Sequence, residues 1–180
     1  MGSVSRTTES NSKALYLVGM MGAGKSTIGP RLAVRLRRAF VDTDRQIVES
    51  EGRSIPEIFE QDGEAHFRAL EARAIEEASV DGAVVALGGG AIVQPGMAER
   101  LAERGILIWL SVDVATLSER VGDGSSRPLL AGLSRAEQLE KLESLLEERR
   151  SYYEKATLTV DASVRTDAVV DQIVSALEKI

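Results

Sequence analysis

The chain has 180 residues, with 22 Lys and Arg against 28 Asp and Glu, a formal net charge of -6 and no cysteine. That length suits one domain with a substantial core, and the acidic balance argues against nucleic acid or anionic membrane as a partner, since both are held by dense Lys/Arg surfaces. Without cysteine there is no disulfide, no thiolate metal site and no cysteine nucleophile. The apolar runs, such as Gly105-Ile106-Leu107-Ile108-Trp109-Leu110, fall far short of the roughly 18 residues of a membrane helix, so a soluble, cytoplasmic protein is expected.

Residues 1–12 are polar and lack an apolar segment, which predicts a disordered leader; Arg6 stands where a myristoylation signal carries Ser or Thr. Ala14 to Val18 then reads as a strand, and Gly19-Met20-Met21-Gly22-Ala23-Gly24-Lys25-Ser26 fits the phosphate-loop pattern G-x-x-x-x-G-K-[ST]. The helical spacing of Ile28, Leu32 and Leu36 follows, so a strand enters the glycine loop and a helix leaves it. Glycines let successive backbone N–H groups turn around an anion, and the helix N-terminus adds its dipole. Gly22, Ala23, Gly24, Lys25, Ser26 and Thr27 are therefore the candidate ATP-binding stretch, with Lys25 reaching the β- and γ-phosphates and the Ser26 hydroxyl placed for Mg²⁺.

Ala39-Phe40-Val41 reads as a second strand, with Asp42-Thr43-Asp44 at its carboxyl end, where ligands bind in open α/β sheets. Two acids two apart on extended chain point the same way, one suited to Mg²⁺ and the other to a substrate hydroxyl. A surface turn with an acidic helix cap is the alternative reading. Residues 45–62 predict short helical pieces interrupted by Gly52 and Pro56, anchored by Ile47, Ile55, Ile58 and Phe59. From Gly63 to Ser79 a helix is predicted with Phe67, Leu70, Ala74 and Ala78 inward; Arg68 sits at the edge of that stripe with Glu71 as a brace. His66, the single histidine, reads as a partly solvated side chain without a catalytic partner.

Ala83 to Leu87 reads as a central parallel strand, and Gly88-Gly89-Gly90 at its end makes sense where a ligand approaches the backbone closely. A helix near 96–103, a strand over 106–110 with Trp109 in the core, and the pattern Val114, Leu117, Val121 continue the alternation. The segment from Val121 to Leu130, rich in Gly and Ser around Arg127 with Arg120 just upstream, has the composition of a mobile lid. A long helix from Ser134 to about Tyr153 places Leu139, Leu142, Leu146, Arg149 and Tyr153 on one inward stripe; Arg149 must then be paired or ligand-bound, whereas Arg150 turns about 100° away. Leu158 to Val160 makes a fifth strand, and a last helix turns Val170, Ile173, Val174 and Leu177 inward.

With the phosphate loop, Asp-x-Asp, Phe-Arg-x-x-Glu, triple glycine and Arg-Pro-Leu-Leu in this order, residues 14–178 closely resemble the shikimate kinase family. The resemblance implies a three-layer α/β P-loop kinase fold, with a five-stranded parallel sheet flanked by helices and a mobile lid. A single domain over 13–180 is expected, with a substrate-binding flap at about 45–79 and the lid at about 120–133. It implies transfer of the γ-phosphoryl of ATP to the 3-hydroxyl of shikimate by a monomer, with Mg²⁺. By resemblance, Lys25, Asp44 and Arg127 are catalytic, and Asp44 is the candidate base. Asp42 serves Mg²⁺ through water beside Ser26, Arg120 lies against adenine, and Arg165 falls in the adenine loop. Arg68 and Arg149 grip the carboxylate, and Gly89 and Gly90 present backbone N–H groups. Pro30 departs from the family and is expected to remove a bond to the Ser26 carbonyl and kink its helix. Quinate, an aminoshikimate and gluconate are rival acceptors, and a nucleotide-binding relative without turnover is a rival of another kind.

Overall fold

The computed structural model describes residues 13–125 and 127–180; the expected leader over 1–12 lies outside them. Five strands, β1 (Ala14–Val18), β2 (Phe40–Asp42), β3 (Val84–Ala86), β4 (Gly105–Ser111) and β5 (Leu158–Asp161), pair in parallel in the order β2-β3-β1-β4-β5. All of β1 and β3 and most of β4 are buried, which requires cover on both faces of the sheet. Among the described residues that cover comes from seven α-helices: α1 (Lys25–Leu36), α2 (Thr43–Glu51), α3 (Ile55–Ala78), α4 (Met97–Arg104), α5 (Val114–Val121), α6 (Arg135–Tyr153) and α7 (Thr166–Leu177). A 3-10 turn, Ala91–Val93, follows β3. Because every strand runs the same way, the phosphate loop, Asp42, the triple glycine and the loop before α7 all emerge at one edge of the sheet.

Several helix boundaries have physical causes that differ from the expected ones. Gly52 ends α2 in the left-handed region, with φ of 64°, and Ser54 then caps α3 in a box with Glu57. Pro56 therefore lies in the first turn of α3, where its missing N–H costs nothing, and interrupts no helix. A helix does begin at Gly63 as expected: with φ 80° and ψ 173° that residue is a non-helical kink at which two helices within Ile55–Ala78 meet. Pro30 lies inside α1, which continues through it from Lys25 to Leu36.

The stripe on α6 is also rotated from the expected one. Gln138, Leu142, Leu145, Arg149 and Tyr153 are buried, while Leu139 is 38% exposed and Leu146 only partly buried. A core-facing glutamine ends the stripe because its amide donates to the carbonyls of Asp123 and Leu133 (2.7 and 3.2 Å), at the two ends of the 120–133 loop. Leu130 within that loop is fully buried in the main core. A smaller core of Ile47, Ile58, Phe67 and Ala74 holds α2 against α3 separately from the main one.

Candidate active site

Gly24, with φ of 94°, occupies the N-cap of α1, and Gly22, with φ of 80°, precedes it. Both lie in the left-handed region where a side chain would be strained, so the loop can wrap its amides around the start of the helix only with glycine there. Lys25 opens α1, and its ammonium donates to the carbonyls of Gly19 (2.7 Å) and Met20 (3.0 Å). Burial lowers its pKa to about 8; Asp44 and Asp42 pull it up, and Arg127 and Arg149 add to the lowering.

The two acids after β2 do not sit on one extended segment. Asp42 ends the strand and caps α2, accepting from the Arg45 N–H at 3.3 Å, whereas Asp44 belongs to the first turn of that helix. The metal-side reading and the acidic-cap reading of Asp42 are thus compatible in one residue, since its other oxygen accepts a 2.6 Å hydrogen bond from the Ser26 hydroxyl. Asp44 Oδ1 is buried and accepts no hydrogen bond from the described residues. Burial, with Asp42 and Glu71 adding to it against Lys25 and Arg127, raises the Asp44 pKa to about 6. Thr43 between them is fully buried; it donates to Ala86 O (3.2 Å) and accepts from Gly88 N–H (3.3 Å), which ties the start of α2 to the end of β3.

Each glycine of the triplet leaves room for a different side chain. A Cβ on Gly88 would lie 2.5 Å from Glu71 Oε1 and 2.7 Å from Asp44 Oδ1, and one on Gly90 would lie 2.9 Å from Arg68 Nη2. On Gly89 it would meet the Met21 N–H at 3.3 Å and Arg149 Nη1 at 3.5 Å. Arg68 pairs with the buried Glu71 (2.7 Å) and with Glu64 (3.1 Å), while Gln94 also donates to Glu71 at 2.9 Å. Arg149 is only 6% exposed and donates to Gly89 O at 2.9 Å, joined there by the Tyr153 hydroxyl at 2.8 Å; Arg150 instead pairs with Glu147 near the surface. Burial pushes the Tyr153 hydroxyl up to about 12, so it stays protonated at neutral pH.

Two hollows meet here. The larger, about 400 Å³, runs from the phosphate loop to Arg120 and the loop before α7, and the smaller, about 100 Å³, is bounded by Phe59, Arg68, Gly90 and Arg149. They share Met21, Asp44, Gly89 and Arg127. Arg120 donates to Ala162 O (2.9 Å) and Ser163 O and Gly22 O (both 3.4 Å), which fixes it across the far end of the larger hollow. Arg165 stands at the N-cap of α7; its neighbours Val164 and Thr166 form the wall there. His66 is exposed and outside both hollows. Thr43, Gln94 and Tyr153 were missed as site residues by sequence reasoning. Only the helical spacing from Arg149 to Tyr153 carried a signal for one of them.

Among the described residues no group of three or more His, Asp and Glu is placed to hold a metal by itself. The Ser26–Asp42 pair beside the phosphate loop nevertheless fits Mg²⁺, which uses one or two protein oxygens and takes its remaining ligands from phosphate and water. No helix among the described residues is long and apolar enough to cross a membrane.

A family model described as Shikimate kinase matches residues 21–178. The shikimate kinase of Salinibacter ruber is 44% identical over 167 residues, covering 89% of this chain and 82% of that protein, and that of Nitrobacter winogradskyi is 44% identical over 169 residues, covering 93% and 78%. The solved shikimate kinase from Acinetobacter baumannii in complex with shikimate superposes with a TM-score of 0.88 at 35% identity, covering 96% of this chain and 97% of that one. A gluconokinase from Sinorhizobium meliloti, 18% identical with a TM-score of 0.59, shares the fold. Sequence, order of motifs and backbone agree over nearly the whole length, and the chain belongs to the shikimate kinase family.

Proposed function

We propose that the chain transfers the γ-phosphoryl group of ATP to the 3-hydroxyl of shikimate, giving shikimate 3-phosphate and ADP. The observation that carries this reading is the junction of the two hollows at Asp44 and Arg127, since phosphoryl transfer asks a protein chiefly to align donor and acceptor and to neutralise charge. ATP occupies the larger hollow, with its β- and γ-phosphates on the amides of Gly22 to Thr27 and the Lys25 ammonium. Arg120 flanks the adenine end, together with the loop around Arg165. When bound, Mg²⁺ supplies charge neutralisation between the phosphates, held by Ser26 and, through water, Asp42.

Shikimate occupies the smaller hollow. Its carboxylate lies between Arg68 and Arg149, whose guanidinium forks match it bidentately, and its ring lies against the Gly89–Gly90 backbone. Asp44 accepts the proton of the attacking hydroxyl, a role for which a carboxyl raised to about 6 suits neutral pH. Arg127 meets the charge developing on the transferred group. The shikimate complex of the Acinetobacter baumannii relative supports this acceptor. The same reading takes residues 13–180 as one domain, 45–79 as the flap, 120–133 as the lid, and the working unit as a cytoplasmic monomer that binds neither nucleic acid nor membrane.

The test is ADP release with Mg-ATP and a panel of shikimate, quinate, an aminoshikimate and gluconate. Selective turnover of shikimate is expected. Turnover of another member would keep the phosphoryl chemistry and refute the acceptor, and ATP binding with no turnover on any of them would make the chain a non-catalytic relative.

A further inference from the structure

Gly89 O accepts from two donors at nearly equal distance, Arg149 Nη1 at 2.9 Å and the Tyr153 hydroxyl at 2.8 Å. Tyr153 is fully buried, stacked on Trp109 with ring centroids 5.6 Å apart, and forms no part of either hollow's wall. The peptide joining Gly89 to Gly90 is trans and planar, so its C=O and N–H point in opposite directions. Drawing Gly89 O back onto α6 therefore turns the Gly90 N–H the other way, into the smaller hollow that Gly89 and Gly90 line with Arg68.

Glycine on both sides gives that peptide no Cβ to resist rotation, so its orientation must come from whatever holds the carbonyl. Arg149 is an unreliable anchor, because an anion in the hollow competes for its guanidinium. Tyr153 has one O–H donor, given among the described residues to Gly89 O, and its stack on Trp109 steadies the ring.

Resting on the acceptor site just described, we propose that Tyr153 is a positioning residue: its hydroxyl locks the Gly89–Gly90 peptide so that the Gly90 N–H and Arg149 meet the anionic acceptor in a fixed geometry. It touches neither substrate. It acts on the acceptor through backbone orientation, and the nucleotide side, reached through Lys25 and Arg120, does not depend on it.

Tyr153→Phe keeps the ring and its stack and removes the hydroxyl, with its donation to Gly89 O and its contact with Arg149, so the Gly90 amide is the readout specific to the lock. The expected result is an acceptor KM raised about three- to tenfold, as for loss of one hydrogen bond, with ATP KM within about twofold of wild type. A displaced Gly90 amide resonance, exchanging faster with solvent, is expected in the substrate-free protein. Trp109→Phe loosens the stack while sparing the hydroxyl, and is expected to raise acceptor KM by less than about twofold. An unchanged acceptor KM and Gly90 amide in Tyr153→Phe, or the same rise in Trp109→Phe, would overturn the proposal. If wild type turns over no acceptor, the functional reading fails by itself, and the Gly90 amide in Tyr153→Phe still decides whether the lock exists.

Discussion

Asp44→Asn is expected to give a protein that is more stable than wild type at pH 8 and inactive. The carboxylate is largely buried with Oδ1 unpartnered, and its pKa lies at about 6 in the folded chain against 3.8 as the ordinary value. That span corresponds to roughly 3 kcal/mol by which folding penalises the charged form. The sign follows from the direction: for a carboxyl raised on folding, the penalty is absent well below 3.8, grows between 3.8 and about 6, and is complete above it. That penalty is already net of the attraction to Lys25, and the amide removes it with the charge, but Asn still buries a polar group, so a net gain of about 1–2 kcal/mol at pH 8 is expected. Urea unfolding of both proteins at pH 8 and pH 4.5 reads this directly. The gap should fall by roughly 2 kcal/mol at the lower pH, closing or reversing sign, because wild-type Asp44 is then mostly protonated when folded. A variant less stable than wild type at pH 8, or a gap independent of pH, would refute the argument from burial. The same variant should lose turnover while ATP affinity holds; an equal loss of nucleotide affinity would move Asp44 to the nucleotide side.

Wild-type kcat/KM for the acceptor should fall on the acid side of about pH 6 as Asp44 takes up its proton, and a profile flat to pH 5 would exclude it as the base. Arg68→Ala or Arg149→Ala should weaken the acceptor by roughly 2–4 kcal/mol and leave ATP nearly unchanged, as read by separate KM values, the cost being that of removing a charged bidentate partner. Gly88→Ala places a methyl on Asp44 and Glu71 at a position with no left-handed backbone requirement; overpacking of roughly 1–3 kcal/mol and a turnover loss of at least tenfold are expected, measured by thermal unfolding and ADP release.

Legibility in the sequence followed the range of the interactions. The phosphate loop could be read because its glycines, lysine and serine act within eight consecutive residues, and Arg149 because a helical stripe repeats locally. Gln138 and Leu145 displaced Leu139 and Leu146 from that stripe because the loop just before α6 folds back onto Gln138, and helical periodicity of apolar residues does not carry a pairing between an amide and loop carbonyls. Asp42 and Asp44 were placed on one face by strand geometry, whereas α2 begins between them; their convergence comes from the turn into the helix. The triple glycine announced close approach, but not that Gly88 clears two carboxylates and Gly90 an arginine, since those partners arrive from α2 and α3. Tyr153 offered no signal of its hydrogen bond, as Gly89 lies 64 residues away.

The small core of Ile47, Ile58, Phe67 and Ala74 has its own consequence. It seals the middle of α2 to the first turns of α3, while the two ends are tied to the sheet, α2 through Thr43 and α3 through Ile75 and Ala78 in the main core. Substitutions on this contact, beyond Asp44 and short of Ile75, are therefore filtered mainly by what they do to the acceptor, while the phosphate loop and its strand are spared. In an inherited lineage, or in a designer's hands, the stretch after Asp44 and before Ile75 is the interchangeable piece, while the two ends that carry the reacting carboxylate and join the sheet are passed on unaltered.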